Sequence, residues 1–162
     1  MRWMCLDPGE KRTGVALSSP EETFAIPLTV LEHGPAGPAM ADIDMLREEH
    51  SVEAILIGIP LSMDDTLSAQ SRSAIKFARS VADHLGVPLV VPHGLDAVKD
   101  GHGQVYVQSI EASAGIPVMV WDERLSTWSA RRTQPDVARR GGRGQRPKRL
   151  DAHAAAVILQ SY

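Results

Sequence analysis

The sequence predicts a mixed α/β fold, a sheet that opens as an antiparallel meander and continues with strands alternating with helices packed on it. Three observations carry this. Three strand-like segments fall within residues 3–31, joined by connections too short for parallel crossovers. Ala54 to Ile59 is a continuous apolar run interrupted only by Gly58, the pattern of a strand covered on both faces. Ala74, Phe77, Ala78, Val81, Ala82 and Leu85 follow at helical spacing and draw one apolar stripe.

Taken in order, Trp3 to Asp7 is short, apolar and closed by the turn signal Pro8-Gly9. Gly14 to Ser18 is the second strand. Thr23 to Leu31 is the third, and Pro27 makes it an edge strand. A Gly/Pro-rich turn, Gly34 to Pro38, leads to a helix over Ala39 to His50, with Ile43 and Leu46 on one side. Ile116 to Trp121 is a further strand, ending in Asp122-Glu123. Ser126 or Thr127 caps a helix running to about Arg140, where Gly141-Gly142 stops it. Leu150 to Ser161 is the last helix, with Leu150, Ala154, Val157 and Ile158 on one face. Gly86-Val-Pro-Leu-Val-Val91 nearly repeats as Gly115-Ile-Pro-Val-Met-Val120. Both read as helix-to-strand junctions, a common way to leave a helix rather than a duplication, with room for an extra strand and helix between them.

A chain of 162 residues suits one domain, 1–162, around one hydrophobic core. Nothing approaches the roughly 20 consecutive apolar residues that span a bilayer, and the run before Asp7 is too short for a signal peptide. One cysteine excludes an internal disulfide and fits a reducing, cytosolic setting. The net charge of -3 is unevenly spread. Arg139, Arg140, Arg143, Arg146, Lys148 and Arg149 form a stretch without an acid, which is either a polyanion-binding segment or a solvated loop.

Acids stand where a sheet presents its strand ends. Asp7 closes the first strand, Asp122-Glu123 closes the strand Ile116 to Trp121, and Asp151 sits in the first turn of the last helix, on its apolar side. Adjacent strand residues point to opposite faces, so one of Asp122 and Glu123 serves a site and the other does not. Two carboxylates about 4 Å apart repel by roughly 4 kcal/mol at an effective dielectric of 20. Such a cluster calls for a cation, and hard oxygen ligands suit Mg²⁺ or Mn²⁺. Gly9 permits a close approach of backbone to phosphate, and Lys11 and Arg12 on the same turn can neutralise it. Arg124 either clamps a phosphate or pairs with a neighbouring acid. Cys5 shares a sheet face with Asp7 and reads as core packing. Trp128 reads as a partly buried helix residue, and His93, Asp96, Asp100 and His102 have no metal-site spacing.

Leu6-Asp-Pro-Gly-Glu-Lys-Arg-Thr-Gly-Val-Ala-Leu-Ser18 resembles the opening motif of the YqgF/RuvX family of ribonuclease-H-like proteins. The same family's pattern recurs in Ile57-Gly-Ile-Pro-Leu-Ser-Met-Asp64, in Trp121-Asp-Glu-Arg-Leu-Ser-Thr127 and in the closing helix from Lys148 to Tyr162. The resemblance implies a five-stranded sheet, its first three strands antiparallel, with helices on both faces. It implies a metal-dependent nuclease with Asp7, Glu123 and Asp151 as divalent-metal ligands, and it prefers Glu123 over Asp122. It implies a structured nucleic acid as substrate, either the 5′ end of the small-subunit ribosomal RNA precursor or a four-way DNA junction. Roughly Val87 to Gly115 is inserted relative to the family pattern. A two-fold junction would favour a homodimer, although no exposed apolar stripe announces one. Two other readings compete: a nucleic-acid-binding assembly factor without catalysis, and an actin-like or sugar-kinase-type phosphotransferase, which would need two such domains.

Overall fold

The computed structural model of the chain describes residues 1–64, 66–99, 106–108, 115–124 and 148–162. The meander forms as expected. Strands β1 (Trp3–Pro8), β2 (Arg12–Ser18) and β3 (Ala25–Glu32) pair antiparallel, with Asp7 opposite Gly14. The β2–β3 register shifts at Val15/Ala16, where Thr29 and Pro27 are the successive partners. Pro27 has no N–H to give the ladder, and β3 is the sheet's outer strand.

Helix α1 (Met40–Glu49) leads to β4 (Ala54–Ile59), which lies parallel to β1 with every residue buried. Helix α2 (Ala69–Leu85) begins five residues before its apolar stripe. Its first turn is mostly polar, with Ser71 alone buried, so hydrophobic periodicity does not mark it. A capping box marks it instead, with Ser68 and Ser71 each bonding the other's backbone N–H. Gly86, in the left-handed region at φ 66°, ends the helix.

The inserted region adds strands, so among the described residues the sheet has seven rather than five. Strand β5 (Leu89–Val90) pairs in parallel with β7 (Val118–Asp122), and β6 (Tyr106–Val107) pairs with β5. The order is β3-β2-β1-β4-β7-β5-β6. The two Gly-X-Pro segments are therefore neighbours in the sheet. Leu89 pairs with Val118 and Val90 with Met119, which is their alignment in the repeat. Gly115 is at φ 96°, and a Cβ there would stand 3.1 Å from Val87 Cγ1, so the second segment packs directly on the first. A short 3-10 turn spans Asp96–Lys99.

The final helix, α3 (Lys148–Ser161), starts two residues before Leu150. The sheet divides the core into two layers. Met4, Leu6, Ile55 and Ile57 face α1 and α2. Trp3, Cys5, Leu56 and Met119 face Ala155, Ile158 and Leu159 of α3. Alternation along each strand sorts the side chains between the layers. Among the described residues no helix is long and apolar enough to cross a membrane.

Candidate active site

The site lies on the α3 side of the sheet, at the ends of its central strands. In β1, Asp7 shares the face of Trp3 and Cys5. On the neighbouring strand Gly58 lies one residue beyond Ile57, which pairs with Leu6. Glu123 follows β7 directly and lays its side chain over Gly58. A Cβ on Gly58 would stand 2.8 Å from Glu123 Oε1 and 2.8 Å from Ile158 Cδ1.

Asp7 and Glu123 feel each other's charge. The Glu123 carboxyl is pushed up to about 8, first by burial, then by Asp7, then by Asp122. The buried Cys5 thiol is raised by burial and then by the same two acids, Asp7 and Glu123. These shifts mark a concentration of negative charge at a water-poor spot.

Asp151 reaches this edge from α3. Its backbone seats on Gly14, where a Cβ would stand 2.1 Å from the Asp151 carbonyl oxygen. Gly14 is the β2 partner of Asp7, so the seat places the first turn of α3 beside the acid pair. Asp151 Oδ2 stands 3.4 Å from Arg12 Nε. That oxygen is buried and accepts no hydrogen bond among the described residues. Among the described residues, no three His, Cys, Asp or Glu side chains form a group that could hold an ion. Of the three acids expected to converge, Asp7 and Glu123 are coupled electrostatically, while Asp151 is turned to Arg12 and forms no group of three with them among the described residues.

These residues suit a divalent cation. Carboxylate oxygens are the donors hard cations take. The burial and the neighbouring negative charge that raise Glu123 are both offset by a bound cation. Asp151 Oδ2 faces Arg12 but accepts no hydrogen bond among the described residues, so it keeps acceptor capacity for an ion.

Asp122 points to the other face and is buried. Arg124 donates to both its oxygens, from Nε at 2.8 Å to Oδ2 and from the backbone N at 2.9 Å to Oδ1. Arg124 Nη1 also donates to the Ser62 carbonyl at 2.9 Å, tying the loop after β4 to the end of β7. Of the two roles open to Arg124, the structure shows the pairing with an acid. Arg12 likewise faces Asp151 rather than solvent alone, while Lys11 and Gly9 are exposed on the β1–β2 turn. Arg139, Arg140, Arg143 and Arg146 lie outside the described residues, as do Asp100, His102, Ser126, Thr127 and Trp128 with the helix expected there. Lys148 and Arg149 open α3, and their side chains are outside the description. Reading the sequence for chemistry alone misses Gly14 and Gly58, the seats of Asp151 and Glu123. A glycine inside a strand pattern is the signal that finds them.

A family model described as RuvX, Holliday junction resolvase, matches residues 1–93 and 92–162 of the chain. A Desulforamulus reducens protein provisionally named pre-16S rRNA nuclease is 33% identical, over 100% of this chain and 96% of its own. A Novosphingobium aromaticivorans protein of the same provisional name is 32% identical, over 96% of this chain and 79% of its own. Among solved structures, Thermus thermophilus RuvC in complex with a Holliday junction substrate aligns with a TM-score of 0.50 at 15% identity. That alignment covers 99% of this chain and 91% of the other. At that identity the likeness concerns the fold, which is ribonuclease-H-like.

Proposed function

The chain belongs to the RuvX family, and from that premise we propose that it is a nuclease that hydrolyses phosphodiester bonds of structured nucleic acid with a divalent metal. The observation that carries this reading is the Asp7–Glu123 pair, two acids at the ends of strands that flank β4, where burial and then the charge of Asp7 hold Glu123 up to about 8. Asp7 and Glu123 would hold Mg²⁺ or Mn²⁺, with Asp151 completing the set from α3. When bound, such an ion polarises a phosphoryl oxygen and stabilises the leaving oxygen of an in-line displacement.

The chain's own residues do the rest. Gly58 leaves the space that Glu123 fills, and Ile158 closes it against water. The Arg12 guanidinium pairs with Asp151 and holds its side chain in place. Lys11, on the turn after Asp7, meets the nucleic-acid backbone, and Gly9 lets the main chain come close to it. The basic stretch Arg139, Arg140, Arg143, Arg146, Lys148 and Arg149 holds the backbone farther from the cut. The names of the full-length relatives put a ribosomal RNA precursor first as substrate, and the family description makes four-way DNA the comparison.

A cleavage panel of structured precursor RNA, single strands and four-way DNA, each with Mg²⁺, Mn²⁺ or EDTA, tests the reading. Cutting is expected with either metal and abolished by EDTA. Asp7→Asn should lose cutting while substrate affinity stays within a few-fold, as expected for a group that acts in the chemical step. Cutting by Asp7→Asn at the wild-type rate would remove the assignment. Salt-sensitive binding with no cleavage under any metal would select the non-catalytic assembly factor instead.

A further inference from the structure

On the other face of the sheet from the acids lies a cleft of about 570 Å³, within the usual size of a ligand site. Three segments wall it: the β1–β2 turn, the loop from His33 to Pro38, and the first three turns of α2. Two cations from different elements line it, Lys11 on the turn and Lys76 on α2. Neither ammonium has a hydrogen-bond or ion-pair partner among the described residues. Phe77 and Met40 supply apolar wall, and Gln70 and Ser73 add amide and hydroxyl groups beside it. One acid, Glu10, lines the cleft.

An apolar wall with adjacent polar groups and two spare cations suits a ligand with a flat apolar body and an anionic link. A nucleotide unit has that character. The cleft is also continuous with the candidate active site along the chain. Gly9 lines it, two residues after Asp7, a separation of at most about 7 Å. A strand whose phosphodiester lies at Asp7 therefore meets the cleft once it passes over the β1–β2 turn.

We propose that this cleft binds a single-stranded flank of the nucleic-acid substrate, seating one nucleotide against Phe77 and Met40 and its phosphates on Lys11 and Lys76. The proposal rests on the nuclease reading for its direction, since the flank leads from the cut. A free mononucleotide offers the same chemistry and is the competing source.

The test compares wild type with Lys76→Ala and Ser73→Trp, the second filling the cleft without touching a charge. Both positions are exposed on α2, and unchanged melting temperatures establish folding. Binding is measured by fluorescence anisotropy in Ca²⁺ or EDTA, on substrates with a single-stranded flank of zero to six nucleotides. Wild type should gain affinity as the flank lengthens and then level off. In Lys76→Ala the flanked substrate should bind roughly fivefold more weakly, with the flankless one unchanged. The salt slope on the flanked substrate should flatten by about 0.7, one single-strand phosphate. Ser73→Trp should remove the flank dependence.

A wild-type affinity indifferent to flank length overturns the proposal, as does an equal loss on both substrates in Lys76→Ala. In a parallel arm, saturation by AMP that an oligonucleotide cannot displace assigns the cleft to a free nucleotide and also overturns it. The two readings fail separately. Flank-dependent binding without cleavage would leave the cleft standing and remove the nuclease, whereas cleavage indifferent to the flank would do the reverse.

Discussion

Glu123 carries the most informative single-residue chemistry. Its folded-state value of about 8 lies above its ordinary 4.5, so the folded protein holds this proton more tightly than the unfolded chain does. The sign follows: its contribution to stability is full below about pH 4.5, falls as pH rises, and is lost once pH passes about 8. The expected outcome without metal is that wild type loses stability relative to Glu123→Gln across this range, by up to about 1.4 kcal/mol per pH unit. Melting curves of both proteins from pH 4.5 to 8.5 check it. Parallel curves would show that Glu123 is not strained by its surroundings. Added Mg²⁺ should narrow the gap at pH 8, because a cation supplies the charge that burial and Asp7 withhold. Gly58 belongs to the same scale. The atoms its missing Cβ would strike are the ends of two flexible side chains, Glu123 and Ile158. Gly58→Ala should therefore cost about 1 kcal/mol or less in stability but displace the carboxylate, slowing cleavage about a hundredfold.

Between elements the critical contact is the seat of α3 on β2. Here the clash at Gly14 is with backbone, the Asp151 carbonyl at 2.1 Å, which has no rotamer to yield. Gly14→Ala should push the first turn of α3 off the sheet. A cost of about 2–3 kcal/mol is expected, lowering the melting temperature by roughly 5–10 °C, together with loss of cleavage. The contrast between the two glycine variants, one disabling chemistry and the other also loosening the fold, separates a side-chain seat from a backbone seat. The elements themselves were largely legible in the sequence. The apolar run in β4 is read to the residue, since a strand buried on both faces leaves no polar position to blur its ends. The start of α2 was not, because its first turn carries no large apolar residue and only the Ser68–Ser71 box betrays it. The added strands β5 and β6 are two residues each, below the length at which alternation declares a strand. The acids were visible at strand ends, but spacing along the chain says nothing of orientation, so the turn of Asp151 toward Arg12 could not be read.

For the molecule as a whole, charge distribution matters more than net charge. An acidic total of -3 coexists with the basic stretch from Arg139 to Arg149. Replacing Arg139, Arg140 and Arg143 with glutamine should weaken substrate binding and flatten the dependence of log affinity on log salt by about two to three, if each residue neutralises one phosphate. A titration at four salt concentrations measures this, and an unaltered slope would make the stretch a bystander. The sheet's layout bears on how the protein keeps company with itself. One rim is β3, interrupted by Pro27 and a register shift, and among the described residues the other is β6, Tyr106–Val107. The β3 rim offers a visiting strand no long straight ladder to extend. The seats of Asp7 and Glu123 lie well inside those rims, so fraying at either margin leaves the acids' neighbours zipped, and crowded copies find along β3 little template from which to grow a fibril.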